Sequence, residues 1–303
     1  MRFSAVFAVL AGLLSPPSLA LSSPEAESYV TYSGVQTGGI NNNGINNNGI
    51  SNMPSDTDMP SDMPYTDPSR TSGSQSEPPS LLMTPTTLTV TGYHTYSLDR
   101  ATRDVHLTAS TPKFSIIDEL FKDLVKTHSC SSLIDMGCSS GLASWLALAA
   151  GFTKVVALDH DEEYIEVAAA IITALDLRNE ASARRLKFGD VVGETPVDVV
   201  FVGAVIHWIY NLTADFRSFD LIISYLLQSV APGKFLVIEW IGPHDSGIEF
   251  FGHLDRVPKR PEDVPYTTEN FESALKRAGD VADRIEVDGQ RRALYVLRKP
   301  VAS

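Results

Sequence analysis

Cysteine is scarce in this 303-residue chain: Cys130 and Cys138 are the two it has, too few for a disulfide framework. They flank a predicted strand of about five residues, and at ~3.3 Å per residue their Cα atoms stand far beyond the ~7 Å that a bridge allows. Both are expected as free thiols, and cysteine usage leaves the redox compartment open. Basic residues are also few, 24 Lys and Arg against 37 Asp and Glu, for a net charge of −13. A protein that grips nucleic acid through its phosphates needs a basic face, so nucleic acid is disfavoured as a partner. The basic clusters at Arg184, Arg185 and Lys187 and at Lys259 and Arg260 are local. Beyond the N-terminus no apolar run approaches the ~20 residues of a membrane span. Nothing in the pattern specifies an oligomeric state.

What is present changes along the chain. Arg2, the apolar run from Phe3 to Leu14 and the small residues of Ser18-Leu19-Ala20 have the form of a cleavable secretory signal. Residues 1–20 are therefore expected to be a signal peptide, with the mature protein secreted or in the secretory-pathway lumen and free of any membrane span. Residues 21–85 are low-complexity. Asn-Asn-Asn-Gly-Ile stands at 41–45 and 46–50, Met-Pro-Ser-Asp at 53–56 and 59–62. Between Leu21 and Leu81 seven acids face a lone Arg70. So little apolar surface cannot offset the entropy of ordering, and the segment is expected to be an acidic disordered spacer. An organelle transit segment would be Arg-rich and acid-poor. Asn211-Leu212-Thr213 is a glycosylation sequon, meaningful in such a compartment.

From Thr86 to Ser303 the apolar residues become periodic. Thr87–Thr91 alternates as a strand, with Val105–Thr108 as a candidate partner. Thr111-Pro112 reads as a cap and first helical position, opening a helix through Phe114, Ile117, Leu120 and Leu124. Strands at Ser132–Met136, Lys154–Leu158, Arg185–Phe188, Val197–Val202 and Phe235–Glu239 then alternate with helices at Leu142–Ala150, after Asp161, and at Phe219–Val230. A further helix at Thr268–Ala278 precedes two strand-like runs joined by Asp288-Gly289, a strong hairpin signal. The expected fold is α/β: a doubly wound, mainly parallel seven-stranded sheet with a C-terminal antiparallel hairpin and helices on both faces.

Three strand ends carry the chemistry. Asp135-Met136-Gly137-Cys138-Ser139-Ser140-Gly141 follows the first parallel strand with an acid and spaced glycines. Asp159 ends the second strand about twenty residues later, where a carboxylate can accept both hydroxyls of a ribose. Lys187-Phe188-Gly189-Asp190 follows the third. In this order they resemble the motifs of class I (Rossmann-like) S-adenosylmethionine-dependent methyltransferases, with Ser139 standing where that family has its middle glycine. The resemblance implies S-adenosylmethionine as cofactor. Asp135, Gly137, Ser139 and Gly141 would then cradle the methionine part, Asp159 the ribose, and Asp190 the adenine. A dinucleotide-binding oxidoreductase would need glycines where Ser139 and Leu142 stand.

The acceptor side is read from the ends of the fourth and fifth strands. His207, in Val205-Ile206-His207-Trp208, is a candidate general base because an imidazole titrates near neutrality, and Glu239 is the second catalytic candidate. Trp208 and Tyr210 are candidate pocket walls. The Asn/Asp-Pro-Pro-Tyr/Phe motif of many amine methylators is missing, which disfavours an adenine or glutamine-amide target; the expected acceptor is a small molecule. The segment Ile241–Tyr266 is long enough for a lid or binding loop. Its His244, Glu249 and His253 do not complete a known ligand spacing, so no metal is expected. The competing readings are a cofactor-fold binding module without turnover and, less favoured, an oxidoreductase.

Overall fold

The computed structural model describes residues 78–108, 112–193, 195–213, 216–245, 248, 263–288 and 291–301. The expected signal peptide, most of the expected spacer, and Glu249 and His253 lie outside the described residues.

The described residues open with an antiparallel meander of four short strands: β1 (Ser80–Met83), β2 (Thr87–Thr91), β3 (Tyr96–Asp99) and β4 (Val105–Leu107). Its inward residues, Leu81, Leu88, Val90, Tyr96 and Leu98, are buried and belong to the same core as the helices that follow. Two expectations are corrected here. The strand Ser80–Met83 falls inside the stretch read as spacer, and β2 pairs with β1 and β3 rather than with Val105–Leu107. Tyr96-Ser-Leu-Asp is too short for its alternation to stand out by itself.

Helix α1 (Pro112–His128) buries Phe114, Ile117, Phe121 and Leu124. Phe121 takes the place expected of Leu120, since the steps 3, 4, 3 follow the 3.6-residue turn. The elements then run β5 (Ser132–Met136), α2 (Leu142–Ala150), β6 (Lys154–Asp159), α3 (Glu162–Ala174), β7 (Ala181–Arg185), β8 (Val197–Val202), α4 (Ile206–Leu212), α5 (Phe219–Gln228), β9 (Val230–Ile241), α6 (Thr268–Ala278), β10 (Asp280–Asp288) and β11 (Arg292–Arg298). Asp161 caps α3 by accepting from the Glu163 amide, and Thr267 caps α6 from Asn270.

The sheet has seven strands in the order β10-β11-β9-β8-β5-β6-β7. The pairs from β9 to β7 are parallel, and β11 runs antiparallel to both its neighbours. This is the fold expected from the sequence. Because successive side chains in a strand point to opposite faces, each strand feeds two cores. Leu133, Val155 and Phe201 pack with α1, α2, α3 and the meander. Ile134, Val156 and Val200 pack with α4, α5 and α6. The third parallel strand lies at 181–185, not 185–188. It is an edge strand with one paired neighbour, so Ala-Ser-Ala-Arg-Arg lacks the apolar run of a strand buried on both sides. Among the described residues no helix is long and apolar enough to cross a membrane. Cys130 and Cys138 are buried free thiols, and burial raises both pKa values, that of Cys130 to about 11.

The second core centres on stacked rings: Phe271 lies 4.3 Å from Trp240 at 8°, with Phe219 and Tyr295 edge-on. Replacing Phe271 with Ala should lower unfolding free energy by about 3–5 kcal/mol. Leu221→Ala, at an exposed position, should change it by less than about 0.5 kcal/mol. Urea denaturation of the two variants checks the contrast.

Candidate functional site

All the strand ends that carried the sequence motifs lie on one edge of the sheet, the carboxyl edge of its parallel strands, where open α/β sheets bind ligands. After β5 the backbone takes left-handed conformations at alternate positions, Gly137 (φ +77°), Ser139 (φ +51°) and Gly141 (φ +93°). The two glycines are required by space as well as by φ. A Cβ on Gly137 would stand 2.3 Å from the Val205 side chain, and one on Gly141 would stand 2.7 Å from the Trp145 indole. Ser139 is the expected departure from the glycine pattern, accommodated in the left-handed region at a cost of the order of 1 kcal/mol.

Asp159 joins this loop to the end of β6. One carboxylate oxygen accepts the Ser139 amide at 2.8 Å. The other accepts the Asp161 amide at 3.0 Å and lies 3.1 Å from His160 Nδ1. Burial works against the charge of Asp159, but the bonds from His160, Asp161 and Ser139 outweigh it and hold its pKa below the usual carboxylate value. A carboxylate offers about four acceptor sites. Two backbone amides occupy one on each oxygen, and the third partner, His160, is a half-exposed side chain that a hydroxyl can displace.

Asp135 is placed differently. It is buried, and its carboxyl accepts the Ser144 hydroxyl of α2 at 2.7 Å. Burial first, and then the charge of Asp159, push its pKa up to about 7 despite the Ser144 bond. Asp135 therefore ties the end of β5 to α2. Asp190 is exposed in the turn after β7, accepting the Lys187 amide at 3.3 Å. Its carbonyl accepts the Tyr225 hydroxyl. The structure brings Asp135, Gly137, Ser139, Gly141 and Asp159 into one loop system and leaves Asp190 on its own turn.

The ends of β8 and β9 form a second cluster. Glu239 is fully buried, with Lys113 Nζ at 2.9 Å and Arg292 at 3.8 Å. Arg292 makes a two-pronged bond to Asp245 at 2.8 and 2.9 Å. Two cations thus neutralise two buried acids, which is the condition for keeping such charges out of water. His207, at the start of α4, is buried beside them. Burial, then Arg292 and Lys113, push its pKa down to about 3, with Asp245 opposing. The expectation of an imidazole titrating near neutrality is corrected: His207 is neutral throughout the physiological range. His94, in the β2–β3 turn, is held at about 4 by burial and by Lys113.

Asp245 lies in the segment expected as a lid or binding loop, but sequence reasoning missed Lys113 and Arg292, and also His94 and its neighbour Tyr93. They come from separate segments, and each alone reads as a surface charge or a turn residue. Trp208 and Tyr210 separate: Tyr210 is core, stacked on Phe219 at 5.1 Å, while the Trp208 ring lies 5.8 Å from that of His207. The ends of the segment 241–266 meet, because the Tyr266 hydroxyl donates to the Ile241 carbonyl at 2.8 Å and its ring stacks on Trp240. Asn211 of the sequon donates to the His207 carbonyl. Among the described residues no group of acids, histidines and cysteines has the arrangement to hold a metal ion.

Set against known proteins, residues 111–226 match the family described as Ribosomal protein L11 methyltransferase (PrmA). That stretch runs from α1 through most of α5 and contains the whole Asp135–Asp159 loop system. No curated protein matches the chain. Among solved structures, the N-methyltransferase NodS from Bradyrhizobium japonicum WM9 is 16% identical, with 62% of this chain and 97% of that chain covered, at a TM-score of 0.48. An O-methyltransferase family protein from Burkholderia thailandensis is 15% identical (62% and 57% covered, TM-score 0.47). A SAM dependent methyltransferase from Aquifex aeolicus is 20% identical (63% and 100% covered, TM-score 0.41).

The raised Asp135 pKa makes a pH prediction. Below pH ~4 the carboxyl is protonated in both folded and unfolded chains. Between there and about 7 the folded chain keeps the proton that the unfolded chain loses, so this group's contribution to stability falls as pH rises; above about 7 the penalty is complete. Asp135→Asn keeps an acceptor for Ser144 and cannot ionise. In urea titrations it should be more stable than the parent at pH 8, by on the order of 1–3 kcal/mol, and nearly equal to it at pH 4.

Proposed function

We propose that this chain, a member of the class I S-adenosylmethionine-dependent methyltransferase superfamily, is an active methyltransferase with a small-molecule acceptor. The observation that carries the reading is the Ser139–Asp159 bridge: a loop of alternating left-handed residues tied to an ionised carboxylate at the adjoining strand end. The residues suit the cofactor chemically. Asp159 retains acceptor capacity for the ribose hydroxyls, and the loop backbone of Gly137 to Gly141 runs alongside for the methionine part. Asp190 stands on the next loop for the adenine end. Bound there, S-adenosylmethionine supplies an electrophilic methyl group on a cationic sulfonium.

What the protein adds is mostly position, which can account for a large share of such a rate enhancement. Val205 packs on Gly137, so the loop after β8 is fixed against the cofactor loop. His207 follows it by two residues, and Gly203, which precedes it, lies close to Glu239. A neutral His207 orients an acceptor by hydrogen bonding, and Glu239 fixes Lys113 and Arg292 around the same space. The missing Asn/Asp-Pro-Pro-Tyr/Phe motif speaks against an adenine or glutamine-amide acceptor, and the net charge of −13 offers little to a polyanion. The first twenty residues we take as a secretory signal. Recovery of a cellular protein that still begins at Met1 would remove that part of the reading.

Calorimetric titration of the full chain tests the function. S-adenosylmethionine should bind, NAD should not, and Asp159→Ala should weaken binding by at least about tenfold, the scale of losing bonds to a charged group. No binding by the parent chain, or preference for NAD, would overturn the assignment. Binding with no methylated product across neutral and phenolic acceptors would instead favour a cofactor-binding module.

A further inference from the structure

Resting on the reading of the Gly137–Gly141 loop as the cofactor cradle, we infer that the N-terminal meander is part of the cofactor site, and that Tyr96 is the positioning residue through which it acts. The Tyr96 side chain is completely buried, and its hydroxyl donates to the Ser140 carbonyl at 2.7 Å, across 44 residues of sequence. Trp145 Nε1 donates both to that hydroxyl, at 2.9 Å, and to the same carbonyl, at 3.2 Å. The Ser140 peptide is thus gripped by two donors in the core, one from the meander and one from α2.

The grip acts between the last two left-handed residues of the loop, since Ser140 lies between Ser139 and Gly141. The Ser140 carbonyl belongs to the same peptide group as the Gly141 amide, so holding the one orients the other. With the carbonyl turned inward, the Gly141 amide donates to the Cys138 carbonyl at 2.9 Å, and the Ser139 amide is left facing Asp159. Gly141 completes the lock, because a side chain there would displace the indole that makes the second bond. The meander also reaches the far side of the site. A Cβ on Gly92, in the β2–β3 turn, would lie 3.7 Å from the Tyr164 ring in the first turns of α3. From the same turn, Tyr93 lies within electrostatic range of Arg292, Glu239 and Asp245.

A polar triad in so dry a place is costly unless each member is satisfied. A phenylalanine at position 96 would fill the core equally well, so packing does not explain the hydroxyl. Holding the Ser140 carbonyl does.

The experiment compares Tyr96→Phe with Leu98→Ala, a core substitution in the same strand that should lower the melting temperature more. For Tyr96→Phe we expect a five- to tenfold weaker dissociation constant for S-adenosylmethionine. Faster amide hydrogen exchange should be confined to residues 139–142, and the melting temperature should be close to the parent's. Leu98→Ala, measured well below its own melting temperature, should bind the cofactor as the parent does. Equal affinity and unchanged exchange in Tyr96→Phe would overturn the proposal, as would weakening in Leu98→Ala to the same degree. If the parent chain does not bind S-adenosylmethionine, the assignment of the cradle falls, and the exchange of residues 139–142 alone decides whether Tyr96 holds the loop.

Discussion

A buried carboxylate with two backbone amides on it is the joint around which this site is assembled. Asp159 and Ser139 are twenty residues apart, yet the bond between them ties the loop after β5 to the end of β6. The parallel register sets this up, since Asp135 and Ala157 are paired across the two strands. The strands therefore end together, and the acid at the end of one meets the amide of the loop leaving the other. Hydrogen bonds to an ionised acceptor are shorter and stronger than neutral ones. Here they also outweigh the burial that opposes the charge of the acid and hold its pKa below the usual carboxylate value.

The two carboxyls of the joint divide the work because their surroundings differ. Asp159 is given amide donors and stays anionic. Asp135 is more deeply buried, has the hydroxyl and backbone amide of Ser144 as donors, and is driven toward its neutral form by burial and by the charge of Asp159. Their closeness reinforces the split, since one negative charge discourages another. The cluster at the other end of the site follows the same rule. Glu239 and Asp245 are buried with the partly buried cations Lys113 and Arg292 set against them. Those cations, with burial, are what hold the neighbouring His207 neutral.

The meander beside α1–α3 is woven into this arrangement. Its inner side chains share the core of one sheet face. Arg100 donates to the Ala174 carbonyl at the end of α3, and Arg103 pairs with Glu180 just beyond it. Attached to the helices at one end and to the Ser140 carbonyl at the other, it forms a wall of the site.

Local pattern determined much about this protein. The alternation of strands and helices, the closing hairpin, the need for Gly137 and Gly141, and the spacing from that loop to Asp159 were all legible. Each depends on periodicity or backbone freedom within a few residues. The third parallel strand was misplaced because an edge strand needs no apolar run, and Tyr96–Asp99 was missed because four residues carry too little pattern. Only the tertiary structure decided which charges meet and which groups lose water. Lys113 and Arg292 are far in sequence from Glu239 and Asp245, and the protonation of His207 and Asp135 follows from burial and neighbouring charge rather than residue type. Coulomb forces and desolvation act through space, so the sequence could name the strand-end residues of this site but neither the cations that meet them, Lys113 and Arg292, nor the states in which the fold holds them.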